Sequence, residues 1–365
     1  FGTIDNYRGT WGFPTVPGLL NTCRTPFMAT GLVKPWYAVF GNHDGEVQGT
    51  VPGLGVIPKI AIGNLKVLGL PATGYDIPAL LAAVAGGDAS ALQVLLTAGP
   101  VKKVTADKKR KMLTRKQLVQ QYFTTSAAPS GHGYTHANVT NGTAFYSFDP
   151  VPGVHCISMD TCDTNGDDTG SLNAAQFQWL QGELNENSAH HLDASGNVVA
   201  GTGTDKIIII FSHHTVATMT NTIGVGRVTG DKVAALFLQY PNVVVWVNGH
   251  THRNTITPHA RATTAAVGGG FWEVNTAAHI DWPEQSRVVE LVNNNDGTLS
   301  IFGTILDHAA PTSWPANPST PLELAALSRE LGINDPQRDA EVGNTDGKRG
   351  TPADRNVELL VRAPF

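Results

Sequence analysis

Gly249-His250-Thr251-His252, directly behind the apolar run Val243-Val244-Val245-Trp246-Val247, constrains this chain more than any other stretch. Two imidazoles one residue apart, just past a buried strand, can each offer a nitrogen to a metal ion. Gly249 lets the backbone turn sharply before them. Two other places repeat the plan. Gly41-Asn42-His43-Asp44 follows Trp36-Tyr37-Ala38-Val39-Phe40, and Ser212-His213-His214 follows Ile207-Ile208-Ile209-Ile210-Phe211. Each reads as a short strand ending in a polar turn. Ligands of open α/β sheets gather beyond the carboxyl ends of the strands, so the three turns can converge on one site.

The rest of the chain supplies a matching frame. The run 207–211 is continuous and β-branched, as in a strand covered on both faces. Val233, Leu236, Phe237 and Tyr240 carry the helical period and stop at Pro241, after which the strand before Gly249 begins. That order is a strand–helix–strand crossover. Residues 143–148 and 154–160 read as a strand pair. A helix follows near Asn173, with Gln176 in the capping-box position and Phe177, Leu180 and Leu184 on one face. Beyond His252, Phe271-Trp272-Glu273-Val274, 288–292 and 299–305 read as antiparallel strands and 322–331 as a helix. Residues 332–355, polar and rich in Asp, Asn, Gly and Pro, read as loop, as do the first 35 residues. Between about 46 and 142 lies an insertion. It holds a helical stretch over 78–96 interrupted by Gly86-Gly87, and a second helix starting near Thr105 or Thr114, where Thr114-x-x-Gln117 reads as a capping box. Eight of the 25 basic residues fall between Lys102 and Lys116. A solvated helix face accounts for such a run; the functional alternative is a patch that draws an anionic substrate or surface.

Composition narrows the classes. At 365 residues the chain makes one large α/β domain or two smaller ones. No apolar run approaches the ~20 residues needed to cross a bilayer. A net charge of −5 speaks mildly against a general nucleic-acid binder, which is usually basic. Charged residues make up only 15%, with Gly, Thr, Asn and Ala plentiful, a flavour that suits an exported bacterial protein and an extracytoplasmic or cell-envelope location. Three cysteines are no disulfide framework. Cys156 and Cys162 can pair if the turn at Asp160 brings them together.

Gly41-Asn42-His43-Asp44, a strand ending in histidine, and Gly249-His250-Thr251-His252, in this order, resemble the calcineurin-like metallophosphoesterases. The likeness runs from about Trp36 to about His252. The stretch 172–180 looks like the helix that follows the family's third region, and the long C-terminal continuation looks like an actinobacterial branch. The resemblance implies an αββα sandwich, here with a large helical insertion and a C-terminal extension: residues 1–310 as the metallophosphoesterase domain, 46–142 as the insertion and 311–365 as the extension. It also implies hydrolysis of a phosphomonoester or phosphodiester of small size by a metal-bound hydroxide. Two divalent or trivalent transition-metal ions (Fe, Zn or Mn) are the expected cofactors, since imidazole with amide or carboxylate oxygen suits these better than Ca or Mg. One departure stands out. The family's Asp-x-His and Gly-Asp motifs, upstream of the Gly-Asn-His-Asp turn, have no counterpart here; the Gly-Asp pairs at Gly87, Gly166 and Gly230 all lie downstream. The expectation is that those ligands precede Phe1. The alternative is a non-catalytic binding or scaffold protein with half a metal site.

By the same resemblance, Asn42, His213 and His250 bind one metal and His252 the other. His43 is the proton donor or phosphate contact, with Asp44 placed to orient it. Successive strand residues point to opposite sides, so only one of His213 and His214 faces the metals. The family pattern favours His213 and leaves His214 as a substrate contact or a group behind the ligands. Arg253 is read as a phosphate contact or a surface residue, and Asp160 as a cap or turn residue.

Overall fold

A computed structural model of the chain describes residues 6–22, 25–26, 28, 31–55, 57–85, 88–164, 166–336, 338 and 347–364. The β-branched runs assemble into a six-stranded sheet in the order Tyr146–Val151, Val154–Ser158, Ile207–Phe211, Val243–Asn248, Gly270–Asn275, Thr255–Ala260. The four inner strands are parallel, and the two outer ones are antiparallel to their neighbours. Helix Gly230–Leu238 links Ile207–Phe211 to Val243–Asn248, the expected crossover. Gly270–Asn275 departs from expectation, since it runs parallel to Val243–Asn248 and antiparallel only to Thr255–Ala260. The latter strand has no clear sequence signal because Pro258 interrupts it. An edge position tolerates the missing N–H.

A larger correction concerns residues 36–40. They are buried at Ala38 and Phe40 but belong to no strand among the described residues. Their polar backbone groups are answered elsewhere: Ala38 N donates to His132 O (2.9 Å), Trp36 N donates to Ala128 O (3.2 Å), and Tyr146 Oη donates to Ala38 O (2.7 Å). The Gly-Asn-His-Asp turn is therefore carried by an extended segment, laid against the Ser130–Gly133 turn and the edge strand.

Both faces of the sheet are covered, which explains the unbroken apolar runs. On one face Val243, Trp246, Ile208 and Ile210 meet helices Ala174–Glu186 and Gly230–Leu238 through Leu180, Leu184, Val233 and Phe237. On the other, Val244, Val245 and Val274 meet Leu299, Ile301, Leu359 and Val361 of a second, three-stranded antiparallel sheet. Its strands are Gln285–Asn293, Thr298–Asp307 and Val357–Arg362. The layering is the α/β arrangement that the motifs imply.

Within the insertion, helices Ile77–Ala85 and Ala89–Ala98 pair through Leu80, Val84, Ala91 and Leu95. Gly86 and Gly87, the expected break, lie outside the described residues. Thr114 caps helix Arg115–Gln121, and Gln117 reaches back to its N–H (3.0 Å), the reciprocal pair read from the sequence. Cys156 and Cys162 are free thiols, so the pairing considered from the sequence is not made; Cys162 Sγ faces the Phe40 carbonyl instead (3.8 Å). Cys23 lies outside the described residues.

Candidate metal centre

Three chain segments meet where the parallel strands end. Gly41 closes on the His213 ring so tightly that a Cβ there would stand 3.0 Å from Nδ1. A side chain at this position would push the two segments apart. Gly249 N donates to His213 O (3.0 Å), tying the ends of the Ile207–Phe211 and Val243–Asn248 strands together. His213 Nε2 and His250 Nδ1 then stand 3.2 Å apart. Two nitrogens bound tetrahedrally to one Zn-sized ion at about 2.0–2.1 Å are separated by roughly 3.3 Å, so this spacing suits a shared ion.

Asn42 adds the oxygen. Its Nδ2 donates to Gly49 O (2.7 Å), which fixes the amide plane. Its Oδ1 is buried without a hydrogen-bond partner in a residue 4% exposed. A buried acceptor left unpaired costs about 1–3 kcal/mol, so this oxygen is poised for a donor or a cation. An amide oxygen and two imidazole nitrogens form a donor set that fits a transition-metal ion.

The protonation states agree. Burial, then the neighbouring imidazoles of His214, His250, His252 and His43, push His213 down to about 2. Burial likewise holds His250 below its usual value, with Asp168 opposing. Both rings are neutral near pH 7 and keep lone pairs for coordination.

His214 sits behind these candidate ligands. It is fully buried, with Nδ1 on Thr161 Oγ1 (2.8 Å) and Nε2 on Asp168 O (2.8 Å). One nitrogen from each of His213, His214 and His250 lies within 4.8 Å of the others, yet both nitrogens of His214 already have protein partners. No ring nitrogen is left for a substrate.

His252 is held differently. Its Nδ1 bonds to Asp281 Oδ2 (2.8 Å), which also accepts from Lys348 Nζ (3.0 Å). A carboxylate on one imidazole nitrogen fixes the tautomer and aims the other nitrogen outward. Hydrogen bonds and charge from His252 and Lys348 outweigh burial and hold Asp281 below its ordinary value. Sequence reasoning missed Asp281, which ends no buried strand and stands in no motif. His250 and His252 both adopt positive φ, +70° and +56°. Histidine is among the few side chains that visit this region with some frequency.

His43 lies over Gly49, where a Cβ would fall 2.4 Å from its ring, and its charge is felt at His213. The Asp44 carboxylate accepts the Gly41 N–H (2.8 Å) and so closes the turn; no hydrogen bond joins it to His43. Beside Asn42 opens a cavity of about 320 Å³ that also touches Glu46, Arg115 and Asp163. Burial first, then the charges of Asp167 and Asp168, push Glu46 up to about 8. Asp160 is buried and structural: it pairs with Arg115 (3.0 Å), and Gln176 bonds both its N–H and its carbonyl. Arg253 points elsewhere, into a separate cleft with Thr251, Glu273 and Lys348. Among the described residues no helix is long and apolar enough to cross a membrane.

Comparison with known proteins follows the same lines. No curated protein matches significantly. Among solved structures, a dimetal phosphatase from Danio rerio is similar at 11% identity and a TM-score of 0.34; the match covers 53% of this chain and 65% of that one, under two thirds of its length. The family model for calcineurin-like phosphoesterases matches residues 18–254, more than half of the chain. The chain belongs to the calcineurin-like phosphoesterase family.

Proposed function

We propose that the chain hydrolyses a phosphomonoester or phosphodiester of a small molecule at the centre formed by Asn42, His213, His250 and His252. The observation that carries this reading is the pair of neutral imidazoles of His213 and His250, 3.2 Å apart, with Asn42, whose Oδ1 is buried without a partner, next in the chain to the Gly41 that closes on the His213 ring. Asn42, His213 and His250 would hold one ion and His252 would contribute to a second. Bound ions of this kind lower the pKa of water and neutralise phosphate charge. The protein's own residues do the rest. Asp281 orients His252, and Thr161 with the Asp168 carbonyl locks His214 as a wall behind His213. His43, exposed over Gly49, is the group that donates a proton to the leaving oxygen. Asp44 serves it by holding the turn rather than by touching the ring. The basic stretch 102–116 points outward except at Arg115, and would steer an anionic substrate or surface toward the molecule.

The test is hydrolysis of 4-nitrophenyl phosphate and bis(4-nitrophenyl) phosphate by Mn-, Zn- or Fe-loaded protein, alongside metal content. His250→Ala should lose bound metal and lower kcat/KM by about 100-fold or more, some 2.7 kcal/mol of transition-state stabilisation. Metal bound tightly with neither ester cleaved would favour a binding protein. No metal bound at all would sink the reading.

A further inference from the structure

We propose that the cleft beside His252 is an anion subsite, centred on Arg253, that selects substrates carrying a second phosphate or carboxylate group. This rests on the phosphoesterase reading and extends it to substrate class. Arg253 directly follows His252, and its Nε is buried without a hydrogen-bond partner. The residue is half-buried, and a buried N–H of this kind needs an acceptor; the planar fork of the guanidinium matches the oxygens of phosphate or carboxylate.

Among the described residues none provides that acceptor. Glu273 is the carboxylate lining the cleft, and it is fully committed: Oε1 accepts from Val216 N (2.8 Å) and Asn248 Nδ2 (2.8 Å), and Oε2 meets His259 Nε2 (2.8 Å). No ion pair joins it to Arg253. Thr255 and Thr257, two residues apart on the edge strand and so on one face of it, both line the cleft. Lys348 brings a second positive charge. Its Nζ bonds to the same Asp281 oxygen that holds His252, so the cleft abuts the metal centre through one shared carboxylate. Lys348 is balanced by Asp281 and Glu273 already accepts three hydrogen bonds, so Arg253 is the cation left without a counter-charge among the described residues, and an incoming anion would supply it. The volume, about 250 Å³, lies below the roughly 300–1,000 Å³ of pockets for drug-sized ligands and suits one compact charged group.

The experiment compares affinities of the metal-loaded protein for inorganic phosphate and for methylenebisphosphonate, by calorimetry. The wild-type protein should prefer the bisphosphonate by roughly 10- to 100-fold, as expected for one extra charge-assisted set of hydrogen bonds. In Arg253→Ala the preference should collapse to within about threefold; Arg253→Gln serves if the alanine variant loses its near-UV circular dichroism. An undiminished preference in either folded variant, or none in the wild type, overturns the proposal. Turnover is measured separately. Ester cleavage without the preference rejects the subsite alone, and the preference without cleavage rejects only the catalytic reading.

Discussion

His155 shows how a single residue can set a pH dependence away from the metal centre. Its side chain is buried, yet Nδ1 meets Asp149 (2.7 Å) and Nε2 meets Glu183 (3.1 Å). Burial alone would lower its pKa; the two carboxylates overcome that and hold it above the ordinary 6.5. Such a group stabilises the fold fully below about pH 6.5 and stops doing so as pH climbs through the raised value. Asp149 and Glu183, held below 3.8 and 4.5, stabilise above those values and lose this as pH falls through the lowered ones. The Tm gap between wild type and His155→Gln should therefore be widest below pH 6.5, down to where the two carboxylates begin to protonate, and narrow as pH rises through the raised value. A gap flat across that range would mean His155 is neutral in the fold. Asp281 offers a second test at this scale. Asp281→Asn should weaken metal binding about 10- to 100-fold, read by calorimetry with Mn²⁺ or Zn²⁺, with the fold intact; unchanged affinity would detach His252 from the ion. The histidines and Asn42 were legible in the sequence because each ends a distinctive run. Asp281 was not, because its role depends on a loop brought from 29 residues beyond His252.

Among elements, the inner strands were the most legible, since an unbroken β-branched run has few alternatives to a strand covered on both faces. Trp246 illustrates the cost of disturbing one. It is fully buried, packs edge-on against Phe237 and donates Nε1–H to Ser212 Oγ (2.7 Å). Trp246→Ala should lower stability by about 3–5 kcal/mol in urea or thermal unfolding. Ser212 in turn donates to His214 O (2.7 Å), so loss of Trp246 should also loosen the turn that positions His213. Helix Pro321–Asn334 begins with Thr320 capping Glu323 N, and Glu323 reaching back to Thr320 N (3.0 Å). Thr320→Ala should cost about 1 kcal/mol, a small shift beside that of Trp246. Two of the elements that escaped sequence reasoning did so for opposite reasons. Residues 36–40 have a strand's composition, but their hydrogen bonds go to a neighbouring turn. Thr255–Ala260 has a breaker in its middle, tolerated because it is an edge.

At the scale of the whole molecule, the centre joins segments far apart in the chain: the turn at Asn42, the strand ends at His213 and His250, and the loop at Asp281. An ion bound at this proposed centre would bridge them only in the folded state, and so would stabilise that state by mass action. At free metal about 100 times Kd the gain is about 2.7 kcal/mol, and chelation should lower Tm accordingly. A Tm indifferent to chelator in protein shown to carry metal would mean the ion sits on a surface that survives unfolding. The layers around the sheet were foreseeable from periodicity; the meeting point of the turns was foreseeable only as a consequence of sheet topology. The left-handed backbone at His250 and His252 has a further implication. Each such residue costs of order 1–3 kcal/mol that a glycine would not incur. In a descendant released from metal binding, glycine at position 250 would relieve this backbone cost, whereas at 252 the relief is set against the lost bond to Asp281. The first of the two histidines is therefore the one whose upkeep depends on continued use.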